Sequence, residues 1–377
     1  MRTGVSSAAS AAGRRHRLTT LCTLTLGALV CALASSSGAR AAVSLAPSPT
    51  TPVIAYVTQT ATSQPVIWTL GASGAPPARI GAGFSPLVAP SGGQIAASLF
   101  GAGPSESGPA LIVYSTSAGA PQTYFNLKRE TTQPLAWSSD GRYVAVDVQS
   151  TVLRNAAKLS GLAIVDTQQK TVKMIARGQI YGASFAPNGN DQVVYGRSAQ
   201  QTLTSRVNVY RSNADGTSTV ALTHDGRSLF PLWGPGAIAY DRERLRREDA
   251  PVYQIWLRPT SGRARQLTHV SVRTLVSGLT PIAFSSDGTK LLAQFVGQDT
   301  SEAWTVDVAS GRARRVTARG ARLPLQAAGL SSDGSTILID EGGDEGPASE
   351  GRVATMPFAG GLSKVLVAHG SQSSWNG

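Results

Sequence analysis

The chain has little of what most catalytic and metal-binding sites are made from. Its 377 residues include two cysteines and four histidines, and only 15% are charged. Both cysteines, Cys22 and Cys31, lie in an N-terminal apolar run that we expect to be removed, which leaves no thiol for a disulfide or for catalysis. Gly-Xaa-Ser-Xaa-Gly, His-Glu-Xaa-Xaa-His and EF-hand motifs are also missing from the sequence. We therefore predict no catalytic residue, no metal and no cofactor.

Residues 1–41 are predicted to be an export signal peptide. Arg14-Arg15-His16-Arg17 precedes an apolar run that ends near Ala34, and Ala39-Arg40-Ala41 fits a small-Xaa-small cleavage site. The paired arginines leave a twin-arginine route open beside the Sec route. We expect a periplasmic, cell-envelope or secreted protein with no transmembrane anchor after cleavage, and residues 42–52, which contain three prolines, as a flexible tether. The leader holds five arginines and no acid, so its removal lowers the formal net charge from +12 to +7.

Glycine and proline, in contrast, are plentiful, with 40 and 21 residues, and many of them recur at regular intervals. A lead residue, two small or polar residues and Asp-Gly or Asn-Gly recur in four clear copies and two looser ones. The lead residues are Ala89, Trp137, Phe185, Trp233, Phe284 and Leu330, at intervals of 48, 48, 48, 51 and 46. Such a period, with a β-rich run on each side of the turn, predicts a β-propeller with one blade per repeat.

A second hairpin interleaves with the first in seven copies, of which Ile255-Trp256-Leu257 to Arg265-Gln266-Leu267-Thr268 is typical. Each repeat therefore holds four strands, here lettered A to D from the inside outward. Residues 53–81 lack an A strand, whereas residues 371–377 supply an A strand and its turn in the same register. We predict that this C-terminal strand closes a single all-β propeller over residues 53–377 by pairing with the N-terminal blade. Seven blades are preferred, with six as the alternative.

The segments 207–234 and 254–269 resemble the TolB-type, WD40-like propeller repeats of exported bacterial proteins, and this resemblance extends over almost all of residues 53–377. The resemblance implies a β-propeller that binds proteins of the envelope or the exterior. TolB itself has a small α/β domain before its propeller, and we expect no room for that domain in this chain, because the repeats begin at about residue 53. Similar repeats occur in prolyl-oligopeptidase-type enzymes, but no hydrolase domain follows here.

Basic residues recur where a D strand ends and the next A strand approaches. Repeat symmetry places these positions at one rim, so the sequence predicts an anion-binding arc, or alternatively polar turn residues repeated by descent. The residues are Lys128, Arg177, His224, His269, Arg319 and His369. The B–C loops should share this rim. The six tryptophans fall at A or C positions, where we expect them to pack between the blades.

Two B–C loops are dense in charge. Residues 242–249 include Arg242, Arg244, Arg246 and Arg247, and residues 340–346 are acidic. We predict a docking patch at the first loop and leave open whether the second binds calcium; both could be merely solvated.

These features favour an exported, non-catalytic propeller, expected to be a monomer, that binds an envelope or extracellular protein or an anionic polymer. Nucleic acid is not expected, because no basic, aromatic-rich motif is present. The alternative is a propeller enzyme, a lactonase- or lyase-like hydrolase with its site at the channel mouth.

Overall fold

The computed structural model describes residues 52–59, 64–71, 76–99, 108–117, 119–126, 130–150, 160–189, 191–199, 206–245, 251–271, 277–297, 300–322, 324–342 and 351–376. The predicted signal peptide and tether, residues 1–41 and 42–52, lie outside this part of the chain except for residue 52. In the described residues, regular structure consists entirely of strands.

The strands form seven four-stranded antiparallel units, which we number as blades in chain order. Blade 1 contains β1 (Val53–Thr58), β2 (Val66–Gly71) and β3 (Ala78–Ala82). Blade 2 contains β4 (Phe84–Val88), β5 (Gln94–Ser98), β6 (Leu111–Ser115) and β7 (Gln122–Tyr124). Blade 3 contains β8 (Glu130–Trp137), β9 (Tyr143–Ser150), β10 (Gly161–Asp166) and β11 (Thr171–Arg177). Blades 4 and 5 comprise β12 (Gln179–Phe185), β13 (Gln192–Ser198), β14 (Asn208–Asn213) and β15 (Val220–Ala221); and β16 (Ser228–Gly234), β17 (Ala237–Leu245), β18 (Pro251–Pro259) and β19 (Arg265–Gln266).

Blade 6 comprises β20 (Ser277–Phe284), β21 (Lys290–Val296), β22 (Ser301–Asp307) and β23 (Ala313–Arg315). Blade 7 contains β25 (Leu325–Leu330), β26 (Thr336–Glu341), β27 (Arg352–Pro357) and β29 (Lys364–Val367). The short strands β24 (Ala318–Arg319) and β28 (Gly361–Leu362) pair with each other. The last strand is β30 (Ser371–Trp375). A short parallel pairing of β18 with β20 joins blades 5 and 6 into one sheet.

The recurring Asp-Gly motif forms the turn between the A and B strands. In blade 6, Ser285 Oγ and the Thr289 amide both donate to Asp287 Oδ1, at 2.6 and 3.0 Å, and Gly288 adopts a φ of 71°. Glycine tolerates that left-handed conformation without a steric penalty. These hydrogen bonds lower the pKa of Asp287 to about 2. The aspartates of this motif therefore build turns, as the sequence predicted.

Each gap between neighbouring blades is filled by its own apolar cluster. The cluster between blades 5 and 6, for example, includes Leu232, Ile255 and Leu291, and the cluster between blades 7 and 1 includes Tyr56 and Leu338. The A strands contact one another in the cyclic order β4, β8, β12, β16, β20, β25, β30 and back to β4. The predicted seven-bladed ring is confirmed.

The seam is closed as predicted, because β30 pairs antiparallel with β1 as the inner strand of blade 1. Asn376 accepts a hydrogen bond from the Val53 amide at 2.6 Å. Side chains of β30 also accept hydrogen bonds from the amides of Ser85 and Val88 in blade 2, which saturates part of that strand's inner edge.

Candidate binding rim

The D–A connections and the B–C hairpins lie at the same end of the propeller, because strand direction alternates within every blade. We call this end the D–A rim, and the end that carries the A–B and C–D turns the opposite rim.

Five of the six basic residues predicted at D–A connections lie at these connections, each followed by the inner strand of the next blade, and all five are exposed. They are Arg177, His224, His269, Arg319 and His369. Arg177 and Arg319 end the short strands β11 and β24, and the three histidines lie in the segments that follow β15, β19 and β29. Lys128 lies outside the described residues.

The three histidines follow blades 4, 5 and 7 and are thus distributed around the ring. His269 Nδ1 is 3.2 Å from Gln266 Nε2, a neighbour on its own connection. Within the described ranges, no group of three or more histidine, cysteine, aspartate or glutamate side chains is arranged to hold a metal ion.

The predicted arginine-rich loop begins as a strand. β17 runs to Leu245 and β18 begins at Pro251, so Arg242 and Arg244 belong to a long B–C hairpin; Arg246 and Arg247 lie outside the described residues. Arg242 donates from Nε to Asp225 Oδ2 at 2.6 Å, and its guanidinium lies 4.4 Å from the centre of the Trp256 ring. Arg242 therefore supports the hairpin, whereas Arg244 is exposed.

The predicted acidic loop 340–346 must also be corrected at its start, because Asp340 and Glu341 are the last residues of β26 and are 4% and 0% exposed. Asp340 accepts hydrogen bonds from the Ser373 amide and hydroxyl, at 2.9 and 2.6 Å. Glu341 accepts from the Arg322 amide and from Ser363. Residues 343–350 lie outside the described residues, so a calcium loop there is not tested.

Two other acidic side chains of the D–A rim are paired with arginines. Asp225 is bound by Arg242, and Glu302 is 3.0 Å from Arg315. Aspartates also occupy the turns of the opposite rim. One of them, Asp166, is paired with Arg142 at 2.6 Å; the others are Asp140, Asp215, Asp287, Asp307 and Asp333. The recurring turn aspartates distinguish the opposite rim, which also presents the exposed cations Lys173, Arg263 and Arg312.

Sequence reasoning missed a set of buried polar side chains on the B strands, four residues past the strand start. Asp147, Asp241, Gln294 and Asp340 occupy equivalent register positions in blades 3, 5, 6 and 7. In the last three, the side chain is hydrogen-bonded to the A strand of the next blade. Burial raises the pKa of Asp147 and of Asp241 to about 7. An acid or amide recurring inside an apolar strand at one register was the available signal.

The tryptophans occupy A and C strands as predicted. Trp137 and Trp233 on A strands are 4% and 8% exposed, and the others are half-buried. The described residues contain no helix that is long and apolar enough to cross a membrane.

No family model and no curated protein matches the chain. Among solved structures, the β-propeller domain of the Trilobed protease from Pyrococcus furiosus is 12% identical with a TM-score of 0.58, over 80% of this chain and 89% of that one. Oligogalacturonate lyase in complex with manganese is 12% identical with a TM-score of 0.57, over 78% and 82%. TolB from Acinetobacter baumannii is 14% identical with a TM-score of 0.49, over 86% and 82%.

These similarities establish the architecture only, since identities at this level do not carry function. The structural neighbours include TolB-like proteins and propeller enzymes. The chain is a seven-bladed β-propeller, and it shares the propeller fold with the Trilobed protease domain and oligogalacturonate lyase at low sequence identity.

Proposed function

We propose that this protein is an exported, non-catalytic propeller whose D–A rim binds an anionic partner, either an acidic envelope or extracellular protein or an anionic polymer. The observation that carries this proposal is the recurrence of exposed basic side chains at successive D–A connections, from Arg177 to His369. Acidic neighbours on the same rim, such as Asp225 and Glu302, are already bound to arginines.

Exposure without a packing role favours binding over structure. Arg319 and His269 are exposed, whereas Val316 and Leu267, a few residues earlier, are buried and belong to the blade cores. The cores therefore do not depend on these exposed basic residues. A predicted charge of +7 for the mature chain adds long-range attraction to an anionic surface.

The long hairpin of blade 5 extends this surface. β17 and β18 remain paired as far as Leu245 and Pro251, beyond the buried Asp241. Arg244 is exposed near its end, and the Arg242 contact with Asp225 and Trp256 holds the base of the hairpin in place. Because the strand backbone is already ordered, binding through such a side chain costs little further backbone entropy.

The proposal is tested by capture of a partner from the envelope fraction, with the mature chain as bait. One variant removes three exposed arginines of the D–A rim, as Arg177→Ser, Arg244→Ser and Arg319→Ser. A matched control removes three exposed cations near the opposite rim, as Lys173→Ser, Arg263→Ser and Arg312→Ser. Both variants lower the net charge equally.

We expect the first variant to lose capture and the control to retain it, with the difference greatest at low salt. Equal loss in both variants would mean that net charge alone attracts the partner. Equal retention in both would remove the D–A rim from the binding surface.

A further inference from the structure

Blade 5 contains a pair of carboxyl groups that the binding rim does not explain. Asp241 and Glu243 are two residues apart on β17, so both side chains project from the same face. Thr280 of blade 6 donates a hydrogen bond to Asp241 Oδ2 at 2.9 Å, which identifies that face as the one toward blade 6. Tyr253 pairs with Glu243 in the β17–β18 ladder. Its side chain packs against Tyr181 and Val207 of blade 4, and the charges of Glu243 and Asp241 both act on its phenol.

Asp241 is incompletely satisfied. The residue is 1% exposed, and its Oδ1 atom has no hydrogen-bond partner. Thr280 and the Leu229 amide favour the ionised form, but burial dominates and raises the pKa of this carboxyl to about 7. A buried carboxylate oxygen normally has a donor or a cation beside it, so this atom points to a missing partner.

Blade 3 shows how the same position is satisfied elsewhere in the ring. Asp147 has the register position of Asp241, and two residues later Gln149 donates from Nε2 to Asp147 Oδ2 at 3.0 Å. In blade 5 the residue at the position of Gln149 is Glu243. An ionised glutamate cannot donate, and its charge raises the pKa of Asp241 further.

The other groups at the base of the blade 5 hairpin do not supply the missing positive charge to Asp241. Burial raises the pKa of Glu243 and outweighs the charge of Arg227, which lowers it, so ionising this carboxyl near Asp241 is unfavourable without a cation beside the two acids. Burial also raises the pKa of Tyr253 strongly, so its phenol remains neutral and can offer an oxygen lone pair. The base of the hairpin thus presents two carboxyl groups and one phenol, all oxygen ligands.

We propose that Asp241 and Glu243 bind a hard divalent cation, calcium in the first instance, at the base of the blade 5 hairpin, with the phenol of Tyr253 as a further ligand. Oxygen donors select hard cations, and calcium tolerates irregular geometry and completes its coordination with water. A cation there would neutralise both acids and hold the long hairpin against blade 6.

The local packing fits that role. Val252 and Tyr253 pair in parallel with Ser277 and Gly278, which is how β18 reaches the inner strand of blade 6. A Cβ atom at position 278 would lie 2.3 Å from Tyr253 Cβ, so glycine permits this close approach. The bound cation would therefore fix the base of the hairpin that carries Arg244.

The test is thermal unfolding of the mature protein at pH 7.5 in EDTA, in 2 mM CaCl2 and in 2 mM MgCl2, with calorimetric titration of calcium for stoichiometry. The key variant is Glu243→Gln, which restores the residue type of blade 3. Asp147→Asn is the matched control, because it changes the equivalent buried acid outside the proposed site.

We expect calcium to raise the melting temperature of the wild type by at least about 2 °C with one ion bound. Glu243→Gln should lose the response and, in EDTA, melt no lower than the wild type, because the introduced amide can donate to Asp241. Asp147→Asn should keep the response. A wild type that responds to neither ion would overturn the proposal in favour of a proton shared by the two acids. A full response in Glu243→Gln would overturn it in favour of another site.

Discussion

Deletion of residues 371–377 should strongly destabilise the ring, because β30 makes hydrogen bonds to three blades. It is the inner strand of blade 1, its side chains accept hydrogen bonds from the amides of Ser85 and Val88 in blade 2, and Ser373 binds Asp340 of blade 7. Without it, β1 becomes an unpaired inner edge and Asp340, which is 4% exposed, loses both of these donors.

The magnitude follows from those contacts. Six hydrogen bonds made by side chains or amides of residues 372–376 are lost. At about 1 kcal/mol net for each, these hydrogen bonds contribute on the order of 6 kcal/mol to the unfolding free energy. Leaving the buried Asp340 carboxylate without its two donors from Ser373 costs about 1–3 kcal/mol in addition. A domain is stable by about 5–15 kcal/mol in total, so the deletion removes a large share or all of the free energy of unfolding.

The assay is thermal unfolding with light scattering, comparing the intact mature chain, the 371–377 deletion and a control that lacks only Gly377. We expect the control to melt like the intact chain and the longer deletion to melt at least about 10 °C lower or to aggregate. A synthetic peptide of residues 370–377 should partly restore the melting temperature. If the deleted protein melts within about 2 °C of the intact one, the seam does not hold the ring together.

Three further outcomes are expected. Burial raises the pKa of Asp147 from 3.8 to about 7, so the contribution of this carboxyl to stability is present at low pH and is lost as the pH rises through 7. In denaturant titrations, Asp147→Asn should therefore remove about 3 kcal/mol of the difference in unfolding free energy between pH 5 and pH 8. An unchanged difference would contradict the burial argument. Arg242→Ser should lower the unfolding free energy by about 1–2 kcal/mol, because the ion pair with Asp225 and the cation–π contact with Trp256 are lost. Arg244→Ser should leave the unfolding free energy unchanged, and equal effects of the two substitutions would refute the structural role assigned to Arg242. Protein purified without chelator should contain no stoichiometric zinc or iron by elemental analysis; one equivalent that disappears in His224→Ala would favour the enzyme alternative.

The repeat spacing was sufficient to predict the ring, because the turn between the A and B strands is determined locally. Ser-Xaa-Asp-Gly closes through its own side chains, as in Ser285 and Asp287, so its spacing reports the blade period directly. The seam was predictable for the same reason, since Trp375 continues the register of the lead residues.

The polar groups that join the blades could not be predicted, because their partners lie one blade away. Asp340 appears from sequence to begin an acidic loop, but it is buried by Ser373 of the seam strand, 33 residues later. Arg242 similarly appears to belong to a charged loop, and only the fold brings Asp225 and Trp256 against it. Charge density alone does not separate a solvated loop from a strand end whose charges are paired.

Site-directed photo-crosslinking tests most directly the central claim that the D–A rim is the binding face. In one protein a photoreactive residue would replace Arg319 on the D–A rim, and in a second protein it would replace Arg312 in the C–D turn of blade 6. Both residues are exposed. After incubation with envelope extract and irradiation, we predict a discrete adduct from position 319 and none from position 312. Adducts from position 312 alone, or of equal yield from both positions, would contradict the assignment.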